Sequence, residues 1–135
     1  MEDQDSNYTL FVKALLKKDL EKLDISPFSD EQKKEIEKVG NIFLDRNMIL
    51  ESIQTFYLLR NFARLNQIGE ILLKNKQNEF AFEAYRYAKN QDGLNQVGEA
   101  FISNAEIEKA YRTFKLADNK QMIEFIEQNF EVKFK

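Results

Sequence analysis

Two glutamates stand at the same place in two nearly identical hexapeptides. Leu65-Asn-Gln-Ile-Gly-Glu70 and Leu94-Asn-Gln-Val-Gly-Glu99 lie 29 residues apart, so Glu70 and Glu99 project from equivalent points of successive structural elements. Carboxylates held about 5–10 Å apart can do general acid–base work. The chain carries nothing to support such a site. It has no His and no Cys, which excludes an imidazole base, Ser–His and cysteine nucleophiles, disulfides, and thiolate ligation of zinc or iron–sulfur clusters. Carboxylates alone need about six or more converging oxygens to hold a hard cation, and no Asp-rich loop offers them. No glycine-rich phosphate loop is present either. The expectation is a non-enzymatic protein with no catalytic residue, no metal and no cofactor.

The cations are candidates for a phosphate-binding surface. Lys13, Lys17, Lys18 and Lys22 line an amphipathic N-terminal stretch, and Arg60, Arg64, Arg86 and Lys89 fall near element junctions. Phosphate recognition needs cations clustered without interleaved acids, whereas Asp19 and Glu21 sit among the lysines and the net charge is −3. These positions read as solvated helix faces. Tyr57, Phe80, Phe82, Tyr85 and Tyr111 recur at helical spacing and read as core, not as base-stacking platforms. No nucleic acid is expected. No stretch approaches the ~20 apolar residues of a membrane span, and Met1-Glu-Asp-Gln-Asp5 is the opposite of a signal peptide's basic start. The expected address is the cytoplasm, without membrane insertion.

The elements that carry these side chains are helices. At 135 residues the length favours one domain, and 43% hydrophobic with 32% charged residues fits a globular chain. Four Gly and one Pro are too few for a turn-rich β-sandwich. The 29-residue offset extends backward to Ile36-Glu-Lys-Val-Gly40 and forward to Ile123-Glu-Phe-Ile126 without a gap. A fixed period of this length means stacked supersecondary units. In the second repeat, Leu65, Ile68, Leu72 and Leu73 form one helical stripe. A turn follows at Lys74–Asn78, with Asn75 and Asn78 as capping candidates, then a second stripe of Phe80, Ala81, Ala84, Tyr85 and Ala88, closed by Asn90-Gln-Asp-Gly93. The third repeat reads the same way, with its turn at Ser103-Asn104. The first turns near Asp45–Asn47.

Gly40, Gly69 and Gly98 fall in mid-helix, where Gly costs about 0.5–1 kcal/mol against Ala. Close approach of a neighbouring helix offsets that, with Ala81 and Ala110 as small partners and Tyr85 and Phe114 filling the adjoining gap. The order Leu65, Ile68, Gly69, Leu72, Ala81, Tyr85, Ala88, repeated as Leu94, Val97, Gly98, Phe101, Ala110, Phe114, Ala117, resembles the tetratricopeptide repeat. The first repeat keeps Gly40 and Phe56 but has Ser52 and Leu59 at the two Ala positions. The tetratricopeptide period is about 34 residues, and shorter αα-hairpins of this kind also resemble clathrin and vesicle-coat solenoids. The resemblance covers roughly residues 34–130 and implies an all-α, right-handed αα-hairpin solenoid.

The expected plan is an acidic tail over 1–8 and one helical-repeat domain over 9–135. That domain comprises a capping helix and linker (9–28), repeats at 29–64, 65–93 and 94–122, and a C-terminal cap (123–135). The capping helix is placed at Thr9–Leu23 and is broken by Asp24-Ile-Ser-Pro-Phe28. Ser29 and Gln32 make a capping box for the first repeat. Ile123, Ile126, Phe130 and Phe134 seal the last element, where Glu127 replaces the recurring Gly. The alternation Phe130, Val132, Phe134 also suits a short strand or a docking tail.

The resemblance implies a concave groove lined by first-helix residues: Glu37, Lys38 and Asn41; Asn66, Gln67 and Glu70; Asn95, Gln96 and Glu99; then Glu124, Phe125 and Gln128. It also implies the role, a protein-interaction module whose amides pair with a peptide backbone and whose acids favour a partner with basic residues. The Lys/Arg clamp that seizes C-terminal carboxylates in some tetratricopeptide proteins is missing. Two alternatives stay open: a structural unit that homo-oligomerises through its Phe-rich ends, and an RNA-binding helical repeat.

Overall fold

The computed structural model describes residues 6–131, and the 29-residue period is written into its backbone. Among the described residues six non-glycine residues have positive φ: Asn47, Lys76 and Ala105 in one series, and Arg60, Lys89 and Asp118 in another. Both series step by 29. At each of them the helix ends in the same double hydrogen bond. Ala105 N–H donates to Ile102 O at 2.9 Å and Glu106 N–H reaches back to Phe101 O at 2.8 Å; Lys89 to Arg86 O (3.1 Å) and Asn90 to Tyr85 O (3.0 Å) repeat it between hairpins. This is the Schellman termination, which satisfies the last carbonyls of a helix by turning one residue left-handed. Gly is the usual occupant of that residue, and here none of the six is Gly.

There are eight helices among the described residues: α1 (Asn7–Leu15), α2 (Asp30–Asp45), α3 (Ile49–Leu58), α4 (Phe62–Lys74), α5 (Asn78–Ala88), α6 (Gln91–Ser103), α7 (Ile107–Leu116) and α8 (Lys120–Asn129), the six turns dividing α2 through α8. There is no strand among them, and no helix is long and apolar enough to cross a membrane. The chain divides into two compact units, Met1–Leu65 and Asn66–Lys135. The acidic residues 1–5 and the positions Val132 and Phe134 lie outside the described residues.

In the first unit, Val12 of α1 packs with Ile36, Val39 and Phe43 of α2 and Leu58 of α3, and Tyr8, Leu15, Leu23, Ile25 and Phe28 close over them. Ser29 and Gln32 form the expected reciprocal capping box at the start of α2. The expected helix Thr9–Leu23 is corrected: α1 begins at Asn7 and stops at Leu15. Beyond it the Asp19 carboxylate accepts the Glu21 N–H (3.2 Å) and the Asp24 carboxylate accepts that of Ser26 (2.9 Å), local bonds that compete with helix. The Arg60 guanidinium then fixes this irregular segment by donating to the carbonyls of Leu20 (3.0 Å) and Glu21 (3.3 Å). Leu20 is buried all the same, so its apolar spacing reports packing, not helix.

Inside each hairpin an aromatic ring packs closely against a glycine. A Cβ on Gly40 would stand 2.9 Å from the Phe56 ring, one on Gly69 2.8 Å from Tyr85, and one on Gly98 2.6 Å from Phe114. The mid-helix glycines are thus the seats of rings from the second helix, which offsets their intrinsic cost. Gly93 meets the Tyr85 ring as well. Ala81 and Ala110 are fully buried, and Ser52 takes the same position in α3 with its hydroxyl donating to Gly40 O at 2.8 Å.

The hairpin boundaries also shift from those expected. Gln91–Gly93 form the first turn of α6, not a loop, because Asn90 caps the helix by accepting the Gly93 N–H at 2.9 Å. Asn61 accepts from Arg64 N–H (3.1 Å) and Asn119 from Met122 N–H (3.1 Å). Each lies four residues ahead of the lead apolar residue, where Asn is a favoured cap. Asn75 takes the expected place at the C-terminal end of α4, its N–H donating to Ile71 O at 3.0 Å before the left-handed Lys76; Asn78 is corrected, because Gln77 holds the N-cap place and Asn78 is the first residue of α5.

Candidate functional site

The first helices of the second unit, α6, α8 and the part of α4 from Asn66 onward, are tied to one another by their caps. Asn90, while capping α6, donates its amide to the Asn66 side-chain oxygen at 3.0 Å; Asn119, while capping α8, donates to Asn95 at 2.9 Å. Asn66 and Asn95 are partly buried by this. Two of the amides expected to line a groove therefore have their oxygens engaged between helices. Their neighbours Gln67, Glu70, Gln96 and Glu99 are all exposed, and identical register places them on corresponding points of α4 and α6. On α8 the same register brings Glu124, Phe125 and Gln128, also exposed.

In the first unit Glu37 is exposed on α2. Asn41 is exposed as well, and its side-chain oxygen accepts from the Arg64 guanidinium at 3.2 Å. The basic residues are dispersed and engaged. Arg60 lies 4.2 Å over the Tyr57 ring while bonding three carbonyls, and Arg86 grips Glu83 at 2.6 Å. Of the four N-terminal lysines only Lys13 is helical, so they do not form one helix face.

Electrostatics separate the two kinds of helix in the second unit. Every acid on or capping α5 and α7 has a cation: Lys109 contacts both Glu79 and Glu106 at 2.8 Å, Glu83 holds Arg86, and Glu108 holds Arg112 at 2.9 Å. These contacts hold the Lys109 ammonium well above the ordinary lysine range, the hydrogen bonds it donates to Glu106 and Glu79 outweighing the desolvation that opposes them. The carboxylates of Glu70, Glu99 and Glu124 form no ion pair among the described residues. Glu70 acts only at a distance: burial pushes the Tyr85 phenol upward, and the Glu70 charge adds to the rise. Glu127, at the register position of the three glycines, accepts the Tyr111 hydroxyl at 2.7 Å, a bond that raises the Tyr111 phenol.

A concavity of about 220 Å³ opens between α5, α6 and α7, with Phe82 and Phe101 in its wall and Glu79, Glu83, Lys109 and Arg112 around it. It did not register in sequence reasoning, because Phe82 and Phe101 have the spacing of core residues. Its charged rim is internally neutralised. Among the described residues no three acidic side chains converge as a metal site. The two glutamates at one-repeat offset thus offer charge and hydrogen-bond acceptors on an exposed surface, without a buried partner to tune either as an acid or base.

The chain matches no protein-family model, no curated protein and no solved structure.

Proposed function

We propose that this chain is a non-enzymatic protein-interaction module built from tetratricopeptide-like αα-hairpins, and that the first-helix stripe of its second unit holds a basic partner segment. The observation that carries the reading is the contrast in charge pairing: Glu70, Glu99 and Glu124 stand without cations, while the acids of α5 and α7 are all matched. Exposed carboxylates in one stripe gain more from an incoming Lys or Arg than do carboxylates that must first surrender a neighbour. Gln67 and Gln96 beside them supply groups that both donate and accept, suited to a peptide backbone. The inward amides Asn66 and Asn95 hold the helices in step beneath this surface. RNA is disfavoured by the same acids.

The test is selection of a displayed random-peptide library on the purified protein. Peptides enriched in Lys or Arg that lose about tenfold or more in affinity for the Glu70→Lys/Glu99→Lys variant support the reading. Binding should also weaken as added salt brings the Debye length below ~10 Å. Enriched peptides without basic residues, or affinity unchanged by the double reversal, would overturn it.

A further inference from the structure

The stripe changes character at α8, and that change describes the partner further. Phe125 occupies the register position of Gln67 and Gln96, and it is 45% exposed. Its ring meets that of Phe130, 38% exposed, edge to face at 6.4 Å. Single exposed apolar residues are ordinary, but two touching rings in line with a polar binding surface make a continuous apolar step. Gln128 stands where Glu70 and Glu99 stand in α4 and α6, so at this one register position, a turn on from Phe125, an amide replaces the acid. A carboxylate there would have to be desolvated by any apolar group seated on Phe125; an amide lowers that cost.

Resting on the reading above, we infer that the partner is a protein segment carrying Lys or Arg together with one large apolar side chain, and that this side chain seats on the Phe125–Phe130 pair. The basic residues lie over Glu70 and Glu99, and the apolar anchor lies toward α8. Aromatic anchors in desolvated contacts carry a large share of affinity at interfaces. Anionic lipid and nucleic acid do not fit, because the same surface presents Glu70, Glu99 and Glu124.

The variant that isolates the anchor is Phe125→Gln, since Gln is the residue the other two first helices carry at this position; its thermal unfolding is recorded alongside to confirm an intact fold. Random displayed peptides selected on the wild-type protein should show a large apolar position next to basic ones. Those peptides should bind Phe125→Gln about tenfold more weakly, the loss of one buried aromatic contact. Reselection on Phe125→Gln should keep the basic residues and lose the apolar position. Basic enrichment with no apolar position, or equal affinity for both proteins, overturns the anchor and leaves the basic-segment reading standing. No basic enrichment on the wild-type protein overturns both. Self-association that is abolished by Phe125→Gln also overturns the inference, by assigning the rings to a second copy of the chain.

Discussion

The first helices and the second helices of the second unit derive from one repeated sequence, yet they treat charge oppositely. On α5 and α7, Glu79, Glu83, Glu106 and Glu108 are each closed off by Lys109, Arg86 or Arg112. On α4, α6 and α8, Glu70, Glu99 and Glu124 are left without such partners among the described residues. Glu79 and Glu108, like the three stripe acids, are exposed, and Glu83 and Glu106 are half-exposed; ion pairs this open to water contribute little to stability, so the difference is not a requirement of folding. It leaves one face electrostatically satisfied and the other available. Repeat proteins hold their shape through inner contacts between neighbouring repeats, which frees outer positions to diverge in this way.

The largest effect that sharpens the comparison is an inner one. Gly98→Leu forces a side chain into the Phe114 ring, which leaves no room for even a Cβ, and should destabilise by about 1–3 kcal/mol in urea unfolding. Gln96→Leu, two residues away on the exposed stripe, should change stability by no more than about 0.5 kcal/mol. Equal costs would mean that the stripe is structural and the contrast false.

Next is the tie beneath the stripe. Asn90→Ala removes both the α6 cap and the bond to Asn66 and should cost about 1–2 kcal/mol. Asn104→Ala, at an exposed turn whose side chain caps nothing, is the control.

Much of this architecture was legible from residue spacing. The glycine, aromatic and small-residue positions at 29-residue intervals mark the hairpins because close packing leaves few residues able to serve there. What was not legible depends on contacts distant in sequence. Leu16, Leu20 and Leu23 have helical spacing, but Arg60, some 40 residues on, binds the Leu20 and Glu21 carbonyls of a non-helical segment. Asn66 and Asn95 look like free groove amides until Asn90 and Asn119 are seen bonded to them. The left-handed turns at Lys76, Lys89 and Ala105 carried no glycine signal at all.

Those turns give a smaller prediction of opposite sign. Ala105 sits at φ 62 with no side-chain hydrogen bond of its own to favour it, and an L-residue there costs about 1–2 kcal/mol. After the larger backbone entropy of Gly in the unfolded chain is subtracted, Ala105→Gly should stabilise by about 0.5–1 kcal/mol. A lower midpoint in the melt would contradict the Schellman assignment.

Alkaline titration tests the second helices, α5 and α7, more gently. Tyr85, Tyr111 and Lys109 all hold their protons more tightly when folded than at their ordinary values of 10.0 and 10.5. Above about pH 10 the folded state therefore binds more protons than the unfolded state, so stability is fully present below that pH and falls as pH rises through it. Tyr111→Phe should make the fall shallower when unfolding is followed across this range, and Glu99→Gln on the stripe should leave it unchanged.

The central claim is that partner binding belongs to the unpaired stripe and not to the paired face. It is tested most directly by titrating one selected basic peptide, at low and at raised salt, into three proteins of matched thermal stability: wild type, Glu70→Lys/Glu99→Lys, and Glu79→Lys/Glu108→Lys. The account predicts about a tenfold or greater loss of affinity, with the salt dependence reduced, for the first pair of reversals, and affinity within about twofold of wild type for the second. A loss confined to Glu79→Lys/Glu108→Lys, with Glu70→Lys/Glu99→Lys binding like wild type, would contradict it and move the site to the α5–α7 face.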